Sequence, residues 1–334
     1  MLEEFDDVAS TDPPRRARRR HRRGRRIVGT ILAALLLLVV GVGGYGWFVS
    51  STVDKNLTHD NLLGDAKKET TTTEGKKLVD DAGDNYLLIG SDARPGETAS
   101  RADVIQLVHV DADHGAIWII HFPRDLYVPI PGHGEDKINA AYAYGDSPLL
   151  VRTIQDLVGV KIDHVAKTDF EGFKQLTDAL GGVQVDNPQP GPDFPGGTIH
   201  LDGAQALDFV RERKRLAEGD ISRGQRQQAW LKAILRETLA PEVLLNPGRL
   251  NDVIVAGTEH TVVDNGLTAG VIRSEAIRLR SVRGGDIHFV TAPFSGYGTT
   301  AQGASIDILD EQGMAALSDA LRTDDMAGYV ASTQ

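Results

Sequence analysis

The sequence predicts an α/β domain, a sheet covered by helices on both faces, carried behind one N-terminal transmembrane helix. Three observations predict it: an uncharged apolar run near the start, short apolar runs rich in branched residues, and longer helical patterns alternating with them. At 334 residues, 41% hydrophobic and 25% charged, the chain has apolar mass for a sizeable core.

The N-terminal elements come first. Residues 1–26 hold nine arginines (15, 16, 18, 19, 20, 22, 23, 25 and 26) against five acids, a net +4 in a chain of net −11, so the remainder carries −15. Ile27–Ser50 is 24 uncharged residues, about 36 Å as a helix and long enough to span a bilayer. Arginines at one end and Tyr45, Trp47 and Phe48 at the other place residues 1–26 in the cytoplasm and everything after Ser51 outside. A cleaved signal peptide fits less well, since its apolar core would be about 7 to 15 residues, followed by a small-residue cleavage site. Gly41, Gly43 and Gly46 spell G-x-G-x-x-G inside this span, with no strand before them, and so do not form a dinucleotide loop. The arginine run abuts the span, where such runs set topology and touch anionic lipid rather than nucleic acid. Residues 51–84 are polar without a sustained apolar period and read as an extracytoplasmic stalk.

The body, 85–334, supplies the alternation. Asn85–Gly90, Asp103–Asp111 and Ala116–Phe122 read as strands. Ser147–Gly159 reads as a helix, with an N-cap serine, Pro148 in the first turn and a terminal glycine. A strand near Asp163–Thr168 leads to a helix that stops at Gly181 and Gly182. Helices follow from about Gly203, from Ser222 to Leu239 and near Leu267–Leu279, then a strand at Asp286–Thr291 and a last helix from Asp310.

Composition narrows the chemistry. The absence of cysteine removes disulfides, thiolate zinc sites, iron–sulfur clusters and cysteine nucleophiles. The overall negative charge and 6% aromatics argue against a nucleic-acid partner. Strand ends carry the candidates: Asp92 after the first strand, Arg101 and Asp103 entering the second, Arg124 and Asp125 after the third. Carboxylates beside guanidiniums suit an Mg2+–diphosphate complex, with hard oxygens for the metal and bidentate arginines for phosphate. Arg211 and Arg213 are two apart and share a face only where the chain is extended. Arg223, Arg226, Gln227 and Trp230 fall on one helical face, where like charges a turn apart repel unless an anion lies between them. Read singly, each is an ordinary surface charge.

The ordered segments NYLLIGSDAR, RADVIQLVHVD, PRDLYVPIPG, KINAAYAYG, DFEGFKQLTDALGGVQVDNP, LDGAQALDFVRER and GDISRGQRQ resemble the LytR-CpsA-Psr family of bacterial cell-wall enzymes. The resemblance is close over about residues 85–240. It implies a three-layer α/β/α sandwich with a central mixed sheet, outside the plasma membrane, that transfers a glycan from a polyprenyl pyrophosphate donor to a peptidoglycan acceptor, leaving a phosphodiester. By motif position, Asp92 and Asp103 would hold Mg2+ (or Mn2+). Arg101, Asp103, Arg124 and Asp125 would form the catalytic centre, with Arg211, Arg213, Arg223, Arg226 and Gln227 binding substrate. Asp103 and Asp125 are the candidate bases for the acceptor hydroxyl. The lipid needs an apolar pocket, for which Ala204, Ala206, Leu207 and Val210 are candidates, though they read equally well as plain core.

The chain departs from the family pattern at His121-Phe122 before Pro-Arg-Asp, where serine and an aliphatic residue are common, and at Gly145-Asp146, where Gly-Gly is frequent. His121 and His109 read as buried core histidines rather than as metal ligands or bases. The residue bias resembles actinobacterial relatives that attach arabinogalactan to a muramic acid hydroxyl of peptidoglycan. The alternatives are a polyprenyl-pyrophosphate phosphatase and a non-enzymatic membrane-bound regulator.

Overall fold

The computed structural model describes residues 51–80, 82–91, 102–213, 215–217 and 219–333. The basic tail, the apolar span at 27–50, Asp92 and Arg101 lie outside the described residues. No helix among those described is long and apolar enough to cross a membrane.

A seven-stranded sheet organises the domain, built from β1 (Thr58–Asp60), β2 (Asp84–Ser91), β3 (Ala102–Val110), β4 (Ile117–His121), β7 (His164–Thr168), β10 (Thr261–Asp264) and β11 (Ile287–Thr291). Its order is β1-β10-β7-β2-β3-β4-β11. The sheet is mixed. β2 runs parallel to β7 and antiparallel to β3, and β4 is antiparallel to β3 and parallel to β11. Alternation along β2 sends Leu87 and Ile89 into one core, together with Ile105, Leu107, Ile120 and Phe122. Two helices close that face: α1 (Ile138–Val158), through Leu150, Val151, Ile154 and Val158, and α8 (Glu311–Thr323), through Leu317 and Leu321. Each such aliphatic contributes about 1.5–3 kcal/mol of burial.

The opposite face carries a second helical layer: α2 (Phe170–Ala179), α3 (Gly203–Arg211), α4 (Asp220–Thr238), the short α5 (Pro241–Leu244), α6 (Pro247–Glu259) and α7 (Ala269–Arg278). Local chemistry starts these helices. Asp169 accepts from Gly172 N at the head of α2, and Asp202 and Gln205 form a reciprocal capping box on α3. A hairpin of β8 (Val183–Asn187) and β9 (Gly197–Leu201) packs its valines against Phe209 of α3 and Ile234 of α4. A smaller sheet, β12-β13-β5-β6, uses β5 (Leu126–Ile130), β6 (Gly134–Lys137), β12 (Phe294–Thr299) and β13 (Ser305–Leu309). The last helix is α9 (Met326–Thr333).

Three expectations need correction. The segment read as a stalk is part of the fold: Val53, Leu57, Leu62, Leu63, Ala66 and Leu78 are buried, β1 pairs with β10, and a 3-10 turn at Gly64–Lys68 lies beside α1. Its apolar residues are spaced irregularly because they fill gaps between other elements rather than one helical stripe. The helix expected from Ser147 has a preceding stretch, Ile138–Tyr144, joined at a break where Gly145 and Asp146 leave helical geometry. Ser147 is not the cap. Asp146, at φ 53°, accepts from Ser147 N at 2.7 Å and restarts the helix. The strands β5, β6, β8, β9, β10, β12 and β13 were not expected, being short and set among prolines and glycines.

Candidate active site

A cavity of about 730 Å³ lies between the helical layer of α2, α4 and α6 and the face of β2, β3 and β7 opposite the α1 core. Its walls are largely apolar: Leu88, Val104, Ala166, Phe170, Phe173, Leu176, Val210, Trp230 and Leu231. Phe173 and Trp230 stack at 3.8 Å, and the indole N–H reaches Thr177 Oγ1 at 3.2 Å, so the largest ring of the wall is held in place. Gly90 lets β2 and β3 approach closely at the floor, since a Cβ there would stand 2.9 Å from Val104 Cβ of its cross-strand partner. Of the small residues expected to line a lipid pocket, Val210 does so; Ala206 and Leu207 pack with the β8–β9 hairpin and Ala204 is exposed.

Charge gathers where β2 and β4 end and β3 begins. Antiparallel register pairs Gln106 with His121, so three residues further along Asp103 and Arg124 come level. The Arg124 guanidinium donates to Asp103 Oδ1. Asp125 collects cations: Lys137 Nζ at 2.8 Å, Arg213 Nη1 at 3.6 Å and Arg124 Nε at 3.8 Å. That attraction draws the chain end after α3 to the turn after β4. The helix stops at Arg211 and the chain continues extended through Glu212, the condition under which Arg211 and Arg213 share a face. Arg211 lies over Phe170, its guanidinium carbon 3.7 Å from the ring centroid, and thereby joins the charged rim to the apolar wall.

Helix α4 divides its expected set. Arg223 and Gln227 line the cavity; Gln227 Nε2 donates to Val210 O at 3.4 Å, and its Oε1 is buried without a hydrogen-bond partner. Arg226 is not brought to the cavity. It is fully buried, donates to Gln189 O (3.0 and 2.8 Å) and Phe209 O (3.3 Å), and lies over the rings of Phe209 and Phe194. Burial pushes its pKa down. It joins the hairpin loop to α3 and α4, which is a structural task.

The structure thus brings Asp103, Arg124, Arg211, Arg213, Arg223 and Gln227 around one cavity with Asp125 beside it, and sets Arg226 apart. Sequence reasoning did not assign Lys137, which sits at the junction of β6 and α1 inside the KINAAY segment, nor Lys167 and Phe170 of the lining. Oxygen donors of Asp103 and Gln227 are the hard type that suits Mg2+ or Mn2+. His109 is buried between Asn85 Oδ1 (2.9 Å) and Asp324 Oδ1 (3.1 Å), remote from the cavity, as a core histidine. His121 is also buried, under α4, and burial together with Arg223 lowers its pKa to about 4.

The model of the LytR_cpsA_psr family matches residues 47–323. The chain belongs to this family. Among LytR-CpsA-Psr relatives, the "Cell wall biosynthesis protein LcpA" of Corynebacterium glutamicum is 30% identical over 281 residues, 69% of this chain and 54% of that protein, so the match spans about half its length. The "Polyisoprenyl-teichoic acid--peptidoglycan teichoic acid transferase TagU" of Bacillus mycoides is 35% identical over 206 residues, 60% of this chain and 67% of TagU. The structure described as "TagT bound to LI-WTA" superposes with a TM-score of 0.61 at 26% identity, covering 80% of this chain and 99% of TagT. The LytR-Csp2A-Psr enzyme from Actinomyces oris shares the fold at a TM-score of 0.60 and 23% identity, over 82% and 96% of the two chains.

Proposed function

We propose that this LytR-CpsA-Psr protein is a plasma-membrane, single-pass transferase with a cytoplasmic N-terminus and an extracytoplasmic catalytic domain. It moves a glycan phosphate from a polyprenyl pyrophosphate donor to a muramic acid hydroxyl of peptidoglycan. One observation carries the reading: a single cavity joins a long apolar wall to a rim of Arg124, Arg211, Arg213 and Arg223. That combination suits an amphiphile with an apolar tail and a diphosphate head. The names of TagU and LcpA support polymer transfer in wall assembly, and the residue bias noted in the sequence is the ground on which this reading takes arabinogalactan as the glycan.

In this reading the lipid lies along Phe173, Leu176 and Trp230, and the arginines hold the diphosphate oxygens. The acceptor hydroxyl attacks the phosphorus bearing the glycan, the P–O–P bridge breaks, and polyprenyl phosphate leaves. Asp103 and Asp125 are the candidate bases for the hydroxyl proton. Asp103, with Asp92, would hold Mg2+ (or Mn2+), which supplies charge neutralisation when bound.

The test uses the full chain in detergent with a short-chain polyprenyl-pyrophosphate glycan, Mg2+ and peptidoglycan strands. A phosphodiester product that falls at least about tenfold in Arg124→Lys, which keeps the charge and loses the fork, supports the reading. Cleavage at equal rate with and without strands would indicate a phosphatase, and absence of Mg2+-dependent turnover a regulator.

A further inference from the structure

Outside the cavity, on the turn joining β5 to β6 and the first stretch of α1, two rings form a solvent-facing pair. His133 and Tyr144 stack with centroids 4.6 Å apart and planes 13° from parallel, and Tyr144 is 49% exposed. The pair is held from several directions. His133 lies between Gly132 and Gly134, both at positive φ, in a turn closed by His133 N to Ile130 O at 2.9 Å. Tyr144 Oη donates to Asp136 Oδ2 at 2.5 Å, immediately before the Gly145–Asp146 break.

The platform is tied to the reaction centre through two neighbouring contacts. Asp136 holds Tyr144, while the next residue of β6, Lys137, reaches Asp125 at 2.8 Å. Asp146, two residues beyond Tyr144, stands 3.9 Å from Lys167 Nζ, and Lys167 lines the cavity. Neither ring lines the cavity, and these two contacts of their chain neighbours join them to its charged groups.

We infer that the Tyr144–His133 platform, with the Asp136 carboxylate hydrogen-bonded to the tyrosine, is a subsite for an uncharged or amino-bearing pyranose of the acceptor glycan. The inference rests on the transferase reading above. An aromatic face takes the C–H face of a sugar ring, and a neighbouring carboxylate accepts its hydroxyl or ammonium protons. The Asp136 carboxylate repels the donor's diphosphate, whereas the arginine rim attracts it, so charge keeps the donor head off the platform. Because the rings are already fixed, little ordering is required on binding.

Acceptor and donor KM are to be measured separately in the full chain, with uncross-linked peptidoglycan glycan strands and a short-chain lipid pyrophosphate donor. Tyr144→Ala is expected to raise acceptor KM about tenfold and leave donor KM within about twofold, while Tyr144→Phe, which keeps the ring, raises acceptor KM no more than about threefold. Binding of the strands alone should weaken in parallel, with melting temperature recorded for each variant. Unchanged acceptor KM and strand binding in folded Tyr144→Ala would overturn the subsite while leaving the transferase reading in place. An equal rise in both KM values would overturn it too, since the rings would then support the rim rather than hold sugar. Strands bound through Tyr144 without any transfer would uphold the subsite and overturn the transferase.

Discussion

Arg223 and Arg226 lie one turn apart on α4, yet their side chains meet different surroundings. Arg223 lines the cavity, whereas Arg226 spends its donors on the carbonyls of Gln189 and Phe209. Lysine in place of Arg226 keeps a charge but loses the planar fork, so Arg226→Lys should cost about 1–3 kcal/mol of stability and lower the melting temperature more than it lowers turnover per folded molecule. Arg223→Lys should do the reverse, with turnover down at least about tenfold and melting nearly unchanged. Thermal melts beside donor-cleavage kinetics would check the pair. An unchanged melt with abolished transfer in Arg226→Lys would instead place that residue on the anion.

At the scale of elements, α4 is seated on the sheet by an absent side chain. A Cβ on Gly224 would stand 2.7 Å from His121 Nε2, so the helix carrying Arg223 and Gln227 approaches β4 as closely as it does because position 224 is glycine. Gly224→Ala should destabilise by about 1–3 kcal/mol through overpacking. His121→Ser, made in the same chain, should recover part of that, which a double-mutant cycle by denaturant unfolding would measure. Strict additivity would mean that the two residues do not press on each other. The pH dependence has a definite sign. His121 titrates at about 4 when folded and near 6.5 when unfolded, so the unfolded chain binds more protons between those values. Stability falls as pH drops from about 6.5 towards about 4, and His121→Ser removes that share of the slope.

For the whole molecule, the start of the domain decides whether it folds. Val53, Leu57, Leu62 and Leu63 are buried before the first long strand begins. At about 1.5–3 kcal/mol each their burial has an upper bound of about 6–12 kcal/mol, comparable with the about 5–15 kcal/mol by which domains are stable. A chain begun at Ser51 should melt cooperatively, while one begun at Thr70 should lack a cooperative transition by near-ultraviolet circular dichroism. Equal melting of both would mean that these contacts contribute nothing.

Residue order alone determined the α/β class, the strands at β2, β3 and β4, the helices at α2, α3, α4 and α8, and most of the polar rim. Each of these rests on a local signal: branched apolar runs, caps, a helical stripe, a charged pair at a strand end. The periodicity of α4 put Arg226 with Arg223 and Gln227, but a shared helical face is wider than a cavity mouth, and only the packed hairpin loop supplied the carbonyls that take Arg226. Lys137 joined the rim for a reason invisible in its own neighbourhood, since its partner Asp125 comes from another strand end. The role of residues 51–68 was likewise tertiary: scattered leucines have no period, and become core only when β10 and α1, about 80 to 200 residues later, arrive beside them. Which surfaces enclose the cavity was decided by the same long-range pairing, because a wall made from β2, α2 and α4 exists in no single stretch of chain.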